Sequence, residues 1–272
     1  MSSSVADLPG RLSFFHNTQA DSTRAYGKQR QEILSVSKAK KALETISSWP
    51  NYQATDLHHL TDMAAQGNVG QIYYKDESTR FGLKSFKALG GAYAVTRFLQ
   101  QHLAGLNGEE PTMEQLLSGQ YKEQLKDVVV SCATDGNHGR SVAWGAQMFG
   151  CQCIIYIHRD VSAGRQKAME AYAAQVIRIT GNYDESVRQA AVDATEHGRV
   201  IISDTSYEGY TEIPANVALG YTVMLSEIVE QLNGEIPTHV FIQAGVGGLA
   251  AAVCGYFWDL WAEQRPRFVV VE

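Results

Sequence analysis

Three short segments carry residue types that can do chemistry at one site. Arg80 to Gly91, RFGLKSFKALGG, sets Lys87 in an apolar turn framed by Phe86 and the Gly90-Gly91 pair, which would let a helix start there and a cofactor approach closely. Desolvation in such a turn pushes a lysine amine towards the neutral form that condenses with an aldehyde. Thr134-Asp135-Gly136-Asn137-His138-Gly139 follows an apolar run ending at Cys132. A loop of this kind offers N–H, hydroxyl and amide groups to an anion such as a substrate carboxylate. Gly245-Val246-Gly247-Gly248-Leu249 follows a second apolar run and precedes an alanine-rich stretch. That is the arrangement of a phosphate nest at the positive end of a helix. An amine for an aldehyde, a polar partner for a ring and backbone donors for a phosphate are together what pyridoxal phosphate (PLP) requires.

Each segment alone also has an ordinary structural explanation. A lysine at a helix start is often a surface residue, and Lys75, Lys84, Lys122 and Lys126 are expected to be such residues. Thr134, Asp135 or Asn137 would serve as a helix N-cap, a role compatible with ligand binding. The glycine run between Gly245 and Gly248 would suit close packing of a strand on a helix, and it lacks the Gly-Lys-Ser/Thr ending of a nucleotide P-loop. Asp135 stands apart from its neighbours. A carboxylate beside a carboxylate-binding loop repels the ligand unless it acts as a base or pairs with a cationic part of the substrate, which points to a substrate with an extra amine. Asp204, in SDTSYEGY after another short apolar run, is either a second acid facing the same cleft or a turn aspartate.

The elements that must position these residues form an α/β alternation. Strands are expected at Gln71 to Lys75, Asp127 to Cys132, Gln152 to Ile157, Val176 to Ile179, Val200 to Ser203, Thr238 to Gln243 and Arg267 to Val271. Helices are expected around Glu32 to Trp49, then at Phe86 to Leu103, Gly139 to Phe149, Gly164 to Ala174, Tyr183 to His197, Glu212 to Leu232 and Gly248 to Trp258. This reads as a mostly parallel sheet covered by helices. In open parallel sheets ligands bind where strands end and helix N-termini point, and all three segments fall at such places.

Composition narrows the partners. The chain has 272 residues, 44% of them apolar, enough for a substantial core in one or two domains. A net charge of -6 with dispersed Lys and Arg argues against nucleic acid and leaves a small molecule favoured. The start, MSSSVADL, lacks a basic and apolar leader pattern, and no stretch approaches the roughly 20 apolar residues of a membrane span, so a cytoplasmic protein with no membrane partner is expected. Cys132, Cys151, Cys153 and Cys254 sit in apolar runs and read as buried thiols, and no second ligand pair accompanies Cys151-Gln152-Cys153 to make a metal site. The chain stops at Glu272 inside a strand-like run, which suggests a truncated product lacking elements that complete the sheet.

From about Tyr73 onward the chain resembles the fold-type II PLP enzymes and, more narrowly, the diaminopropionate ammonia-lyases. The resemblance rests on Lys75-Asp76-Glu77-Ser78 with Arg80-Phe81-Gly82-Leu83, on Thr134 to Arg140, on Tyr207-Glu208-Gly209-Tyr210 and on Gln243 to Gly247. Asp135, where the general group carries a serine or similar small residue, is what separates the ammonia-lyases from the common dehydratases. The resemblance implies a two-domain α/β parallel-sheet fold: residues 1–89 as the first part of a large PLP domain, 90–209 as a small α/β domain, and 210–272 as the continuation of the large domain, incomplete at its C-terminus. It implies that Lys87 bonds to the cofactor beside Phe86, that Asn137 contacts the ring hydroxyl, and that the amides of Gly245, Val246, Gly247, Gly248 and Leu249 hold the phosphate. Asp135 and Asp204 would line a substrate site with Thr134 and His138, Asp135 taking the Cα proton of the D-isomer and Lys87 that of the L-isomer. The implied reaction is loss of ammonia from 2,3-diaminopropionate to give pyruvate, by a homodimer. A serine or threonine dehydratase or racemase on the same fold, and a truncated remnant without activity, are the competing readings.

Overall fold

The computed structural model describes residues 13–21, 23–243 and 245–272. The described N-terminal part forms α1 (Lys28–Ile33), α2 (Val36–Ser47), β1 (Leu57–His59), α3 (Thr61–Gln66) and β2 (Tyr73–Lys75), followed by a 3-10 turn over Glu77–Gly82. The middle runs α4 (Lys87–Asn107), α5 (Met113–Leu117), α6 (Lys122–Leu125), β3 (Val129–Ala133), α7 (Asn137–Phe149), β4 (Gln152–Ile157), α8 (Ala163–Glu170), β5 (Gln175–Arg178), α9 (Tyr183–His197) and β6 (Val200–Ile201). The last part is α10 (Glu212–Gln231), β7 (His239–Gln243), α11 (Gly248–Trp261), a 3-10 turn and β8 (Arg267–Val271).

The strands fall into three ladders. β5-β4-β3-β6 is fully parallel, β7-β8 is a parallel pair, and β1-β2 is antiparallel. The two parallel sheets are separate, in keeping with the expected two-domain parallel-sheet fold, and α4, α7 and α10 share a core of Leu89, Val95, Leu99, Val142, Ala146, Val217, Tyr221 and Leu225. Burying each large apolar side chain of that set contributes roughly 1.5–3 kcal/mol. Asn182 and Glu185 form a reciprocal capping box that starts α9 where its periodicity predicts.

Close helix crossings fix the frame around Lys87. A Cβ on Gly91 would stand 2.6 Å from Ser141 Oγ, and one on Gly220 would overlap the Leu89 carbonyl oxygen. The Ala92 N–H donates to Ser141 Oγ (2.9 Å), and the Ser141 hydroxyl donates to the Ala88 carbonyl (3.1 Å). The Gly90-Gly91 pair thus admits Tyr221 of α10 and Ser141 of α7, a close helix packing that its lack of side chains allows.

Lys75 corrects the surface reading of four lysines. Lys84, Lys122 and Lys126 are exposed, whereas the Lys75 amine is buried and pairs with Glu227 Oε2 at 2.8 Å. Glu227 also accepts from both terminal nitrogens of Arg80 at 2.7 Å, and Arg80 in turn engages Glu77. β2 brings Lys75, the 3-10 turn brings Glu77 and Arg80, and α10 brings Glu227. The cluster therefore ties the segment leading to Lys87 onto α10.

Candidate active site

Lys87 is the first residue of α4. Its amine forms an ion pair with Asp204 and lies 5.7 Å from the Phe86 ring centroid and 5.8 Å from that of Tyr221. The apolar setting is as expected, but the amine is not alone in it: a carboxylate reaches it from the loop after β6. Phe86 packs edge-on against Tyr221 with centroids 5.0 Å apart, so the two rings wall one side of the amine. Arg140 of α7 donates to the Leu83 carbonyl at 3.2 Å and to the Gly82 carbonyl at 3.4 Å, clamping the turn before Lys87 to the helix that follows β3.

Asp204 is held by its own loop. The Ser203 N–H donates to the Tyr210 hydroxyl (2.9 Å), which donates to the Ile201 carbonyl (2.8 Å), so Tyr210 braces the strand end that carries the acid. Burial pushes the Asp204 carboxyl up, but the His138 ring, the Lys87 charge and the Lys87 hydrogen bond hold it below the ordinary carboxylate range. His138 Nδ1 lies 3.8 Å from Asp204, while its Nε2 meets the Ile202 carbonyl at 2.8 Å. A carbonyl can only accept, so Nε2 carries a hydrogen. Burial lowers the ring's pKa, Asp204 opposes this, and the Lys87 charge lowers it further.

The remaining expected residues divide between these surroundings. Thr134 is buried and its hydroxyl accepts from the N–H groups of Gly136 (3.1 Å) and Gly139 (3.2 Å), so it shapes the loop. Asn137 is the exposed first residue of α7, whose N-cap, Gly136, makes no side-chain cap. Asp135 is the most open member, 62% exposed, and its Oδ1 meets His158 Nε2 at 2.9 Å. Both Asp135 and Asp204 act on Tyr183, whose hydroxyl burial and then these two charges push up to about 12. Of the two acids, Asp204 is the one that pairs with Lys87.

The glycine segment opens α11 as expected. Gly247 is its N-cap, in the left-handed region at φ 90°, and provides no side-chain cap, which leaves the first-turn N–H groups of the helix unclaimed by side chains among the described residues. Gly245 and Val246 are exposed, and Leu249 is half-buried. A Cβ on Gly248 would lie 3.5 Å from the Asp204 carbonyl oxygen and 3.9 Å from the Tyr221 ring, so the helix start abuts the residues that surround the Lys87 amine.

These residues fit PLP. The amine, the uncapped α11 N-terminus and two buried polar atoms with no protein partner among the described residues, Tyr221 Oη and His138 Nδ1, cluster around Asp204. Sequence reasoning did not single out Tyr221, Arg140 or His158. The Tyr221 pattern is that of an ordinary apolar helix face, and the partners of Arg140 and His158 lie on other elements.

A parallel-sheet α/β fold with an ion-paired lysine, flanking acids and a glycine-opened helix defines a class, and the sequence comparison agrees with it. The chain belongs to the family described as "Pyridoxal-phosphate dependent enzyme", which matches residues 49–272. Its relatives include the diaminopropionate ammonia-lyase of Salmonella typhimurium, 40% identical over 226 residues that make up 82% of this chain and 56% of that protein. Among solved structures, the apo form of the Escherichia coli diaminopropionate ammonia-lyase is 38% identical with a TM-score of 0.81, covering 88% of this chain and 64% of the other. The same E. coli enzyme, in complex with an aminoacrylate-PLP azomethine reaction intermediate, matches with a TM-score of 0.79 over 88% of this chain and 60% of the other. The chain thus spans a little over half the length of the curated relative it matches. Among the described residues no helix is long and apolar enough to cross a membrane.

Proposed function

We propose that the protein removes ammonia from 2,3-diaminopropionate, giving pyruvate. The observation that carries this reading is the pairing of the Lys87 amine with Asp204, which also lies 3.8 Å from His138 of the loop that carries the open carboxylate of Asp135. An acid on the amine and a second on that loop match a substrate with two amino groups, because each ammonium that enters would find a carboxylate while a hydroxyl in the same place gains much less. The likeness to the ammonia-lyases of S. typhimurium and E. coli supports the same substrate.

PLP, when bound, supplies an aldehyde for the substrate α-amine and a sink for the electron pair left at Cα. The chain's own residues do the rest. Lys87 Nζ would hold the aldehyde in the absence of substrate and would take the Cα proton of the L-isomer. Asp135 takes the Cα proton of the D-isomer from the loop after β3. Asp204 keeps the Lys87 amine in place and pairs with a substrate ammonium. Thr134 and His138 would shape the loop that receives the substrate carboxylate, Asn137 would meet the ring hydroxyl, Phe86 would wall the ring, and the N–H groups of Gly245 to Leu249 would hold the phosphate. The β-amine leaves as ammonia, and hydrolysis of the three-carbon remainder gives pyruvate and a second ammonia.

The division into residues 1–89, 90–209 and 210–272 goes with this reading, supported by the four-stranded ladder lying wholly within the middle part. A cytoplasmic homodimer is the setting that the family resemblance supports. The test is pyruvate release from D- and L-2,3-diaminopropionate and from D- and L-serine by the PLP-loaded protein. Diaminopropionate is expected to be the better substrate, with both the cofactor absorbance and turnover lost in Lys87→Ala. Release from serine and not from diaminopropionate would overturn the reading.

A further inference from the structure

β3 and β4 are parallel neighbours whose register pairs Ala133 with Tyr156. Asp135 lies two residues past the end of β3, and His158 is the first residue past the end of β4. The side chains meet: His158 Nε2 is 2.9 Å from Asp135 Oδ1. The Asp160 N–H donates to His158 Nδ1 at 3.2 Å, which makes Nδ1 an acceptor and leaves the ring hydrogen on Nε2, directed at the carboxylate.

Both partners are braced. Arg178 donates to the His158 carbonyl at 3.2 Å, and Arg165 donates to the Asp135 carbonyl at 3.3 Å while its methylenes pack over Gly136. The other charges facing the ring are the Asp160 carboxylate, 3.6 Å from Nδ1, and Arg159, which pairs with that carboxylate at 3.6 Å. The His158 side chain is 18% exposed, whereas that of Asp135 is 62% exposed. Asp135 Oδ2 has no protein partner among the described residues, so one carboxylate oxygen is tethered and the other is open.

We propose that His158 is a positioning residue for Asp135: its Nε2–H fixes Oδ1 and aims Oδ2 at the Cα proton of the D-isomer. This rests on the base role given to Asp135 above and adds to it a residue from the segment after β4 that sets its direction. The proton from Cα ends on Asp135 Oδ2, and His158 keeps its own proton throughout. An untethered Asp135 on an open loop would sample several rotamers and spend less time in reach of Cα.

The experiment compares kcat for D- and L-2,3-diaminopropionate in the PLP-loaded protein and in His158→Leu, His158→Gln and Asp135→Asn. His158→Leu is expected to lose about tenfold in kcat on the D-isomer, the size of one hydrogen bond to a charged group, and to keep its rate on the L-isomer. Gln places an N–H near the Nε2 position, so His158→Gln is expected to recover most of the loss. Equal losses on both isomers, or no loss on either, would overturn the positioning role while D-turnover lost in Asp135→Asn upheld the base. D-turnover intact in Asp135→Asn would overturn the base reading and this inference with it. A second readout does not depend on turnover: nitrogen-15 NMR of the His158 ring without cofactor. The Nε2–H tautomer is expected, with Nδ1 accepting from the Asp160 N–H. The Nδ1–H tautomer would overturn the pairing.

Discussion

Glu227→Ala tests how the segment that delivers Lys87 is held. The carboxylate, 3% exposed, accepts from both terminal nitrogens of Arg80 (2.7 Å), from Lys75 (2.8 Å), from the Tyr52 hydroxyl (2.9 Å) and from the Thr55 N–H (3.3 Å). Hydrogen bonds to a charged group are worth about 1.5–3 kcal/mol each when taken singly, and a plain sum would exceed the stability of many domains. The sum does not apply, because two of the donors keep other partners. Arg80 retains Glu77 at 2.7 and 2.9 Å, and Lys75 retains the Thr55 carbonyl at 2.7 Å and Gln231 at 2.9 Å. The loss therefore sits near the lower end of the about 3–5 kcal/mol found when one partner of a buried pair is removed. Urea unfolding at pH 7, followed by circular dichroism, is the assay. A loss below about 1 kcal/mol would refute the reasoning, since it would mean that water replaces the carboxylate and the cluster ties nothing. Acid supplies a second check. Burial raises the Glu227 carboxyl, but the Arg80 and Lys75 bonds and charges outweigh it and hold it below its ordinary value. A depressed carboxyl stabilises the fold fully above its unfolded pKa of about 4.3, and that contribution is lost as pH falls through the lower folded value. The gap between the protein and its variant should accordingly narrow on acidification below about pH 4.

Gly220→Ala drives a methyl group into the Leu89 carbonyl and to within 2.8 Å of Gly90 Cα, both backbone atoms that cannot rotate aside. A loss of about 1–3 kcal/mol is expected from thermal unfolding, and an unchanged midpoint would show that α4 and α10 separate freely. His138 should titrate below the about 6.5 of a free imidazole, because burial opposes its charging, and proton NMR of the ring reads this directly. Its unfolded form takes a proton that the folded form resists, so stability should decline as pH drops below about 6.5; His138→Gln should remove that part of the decline.

Local sequence determined the elements near the site. Gln152–Ile157 and Arg267–Val271 occupy the bounds their apolar runs predict, and Tyr183–His197 does so with its capping box, since period and cap chemistry act within a few residues of chain. The glycine turn before α11 and the lysine at the start of α4 were legible for the same reason. Leu57–His59 was not, because a three-residue strand containing two histidines exists through its pairing with Tyr73–Lys75 and through no pattern of its own.

Tertiary structure decided what each charged side chain meets. Lys75 reads as an exposed lysine until α10 brings Glu227 to it, and nothing local in Gly90-Gly91 says that α7 and α10 pack against them. Lys87 acquires Asp204 from 117 positions away, and Asp135 acquires His158 from 23 positions away, just past the ends of neighbouring strands. Periodicity encodes which face of an element is buried; it carries no record of which other element arrives there, and the partner that arrives sets the charge, direction and proton of every group in the site.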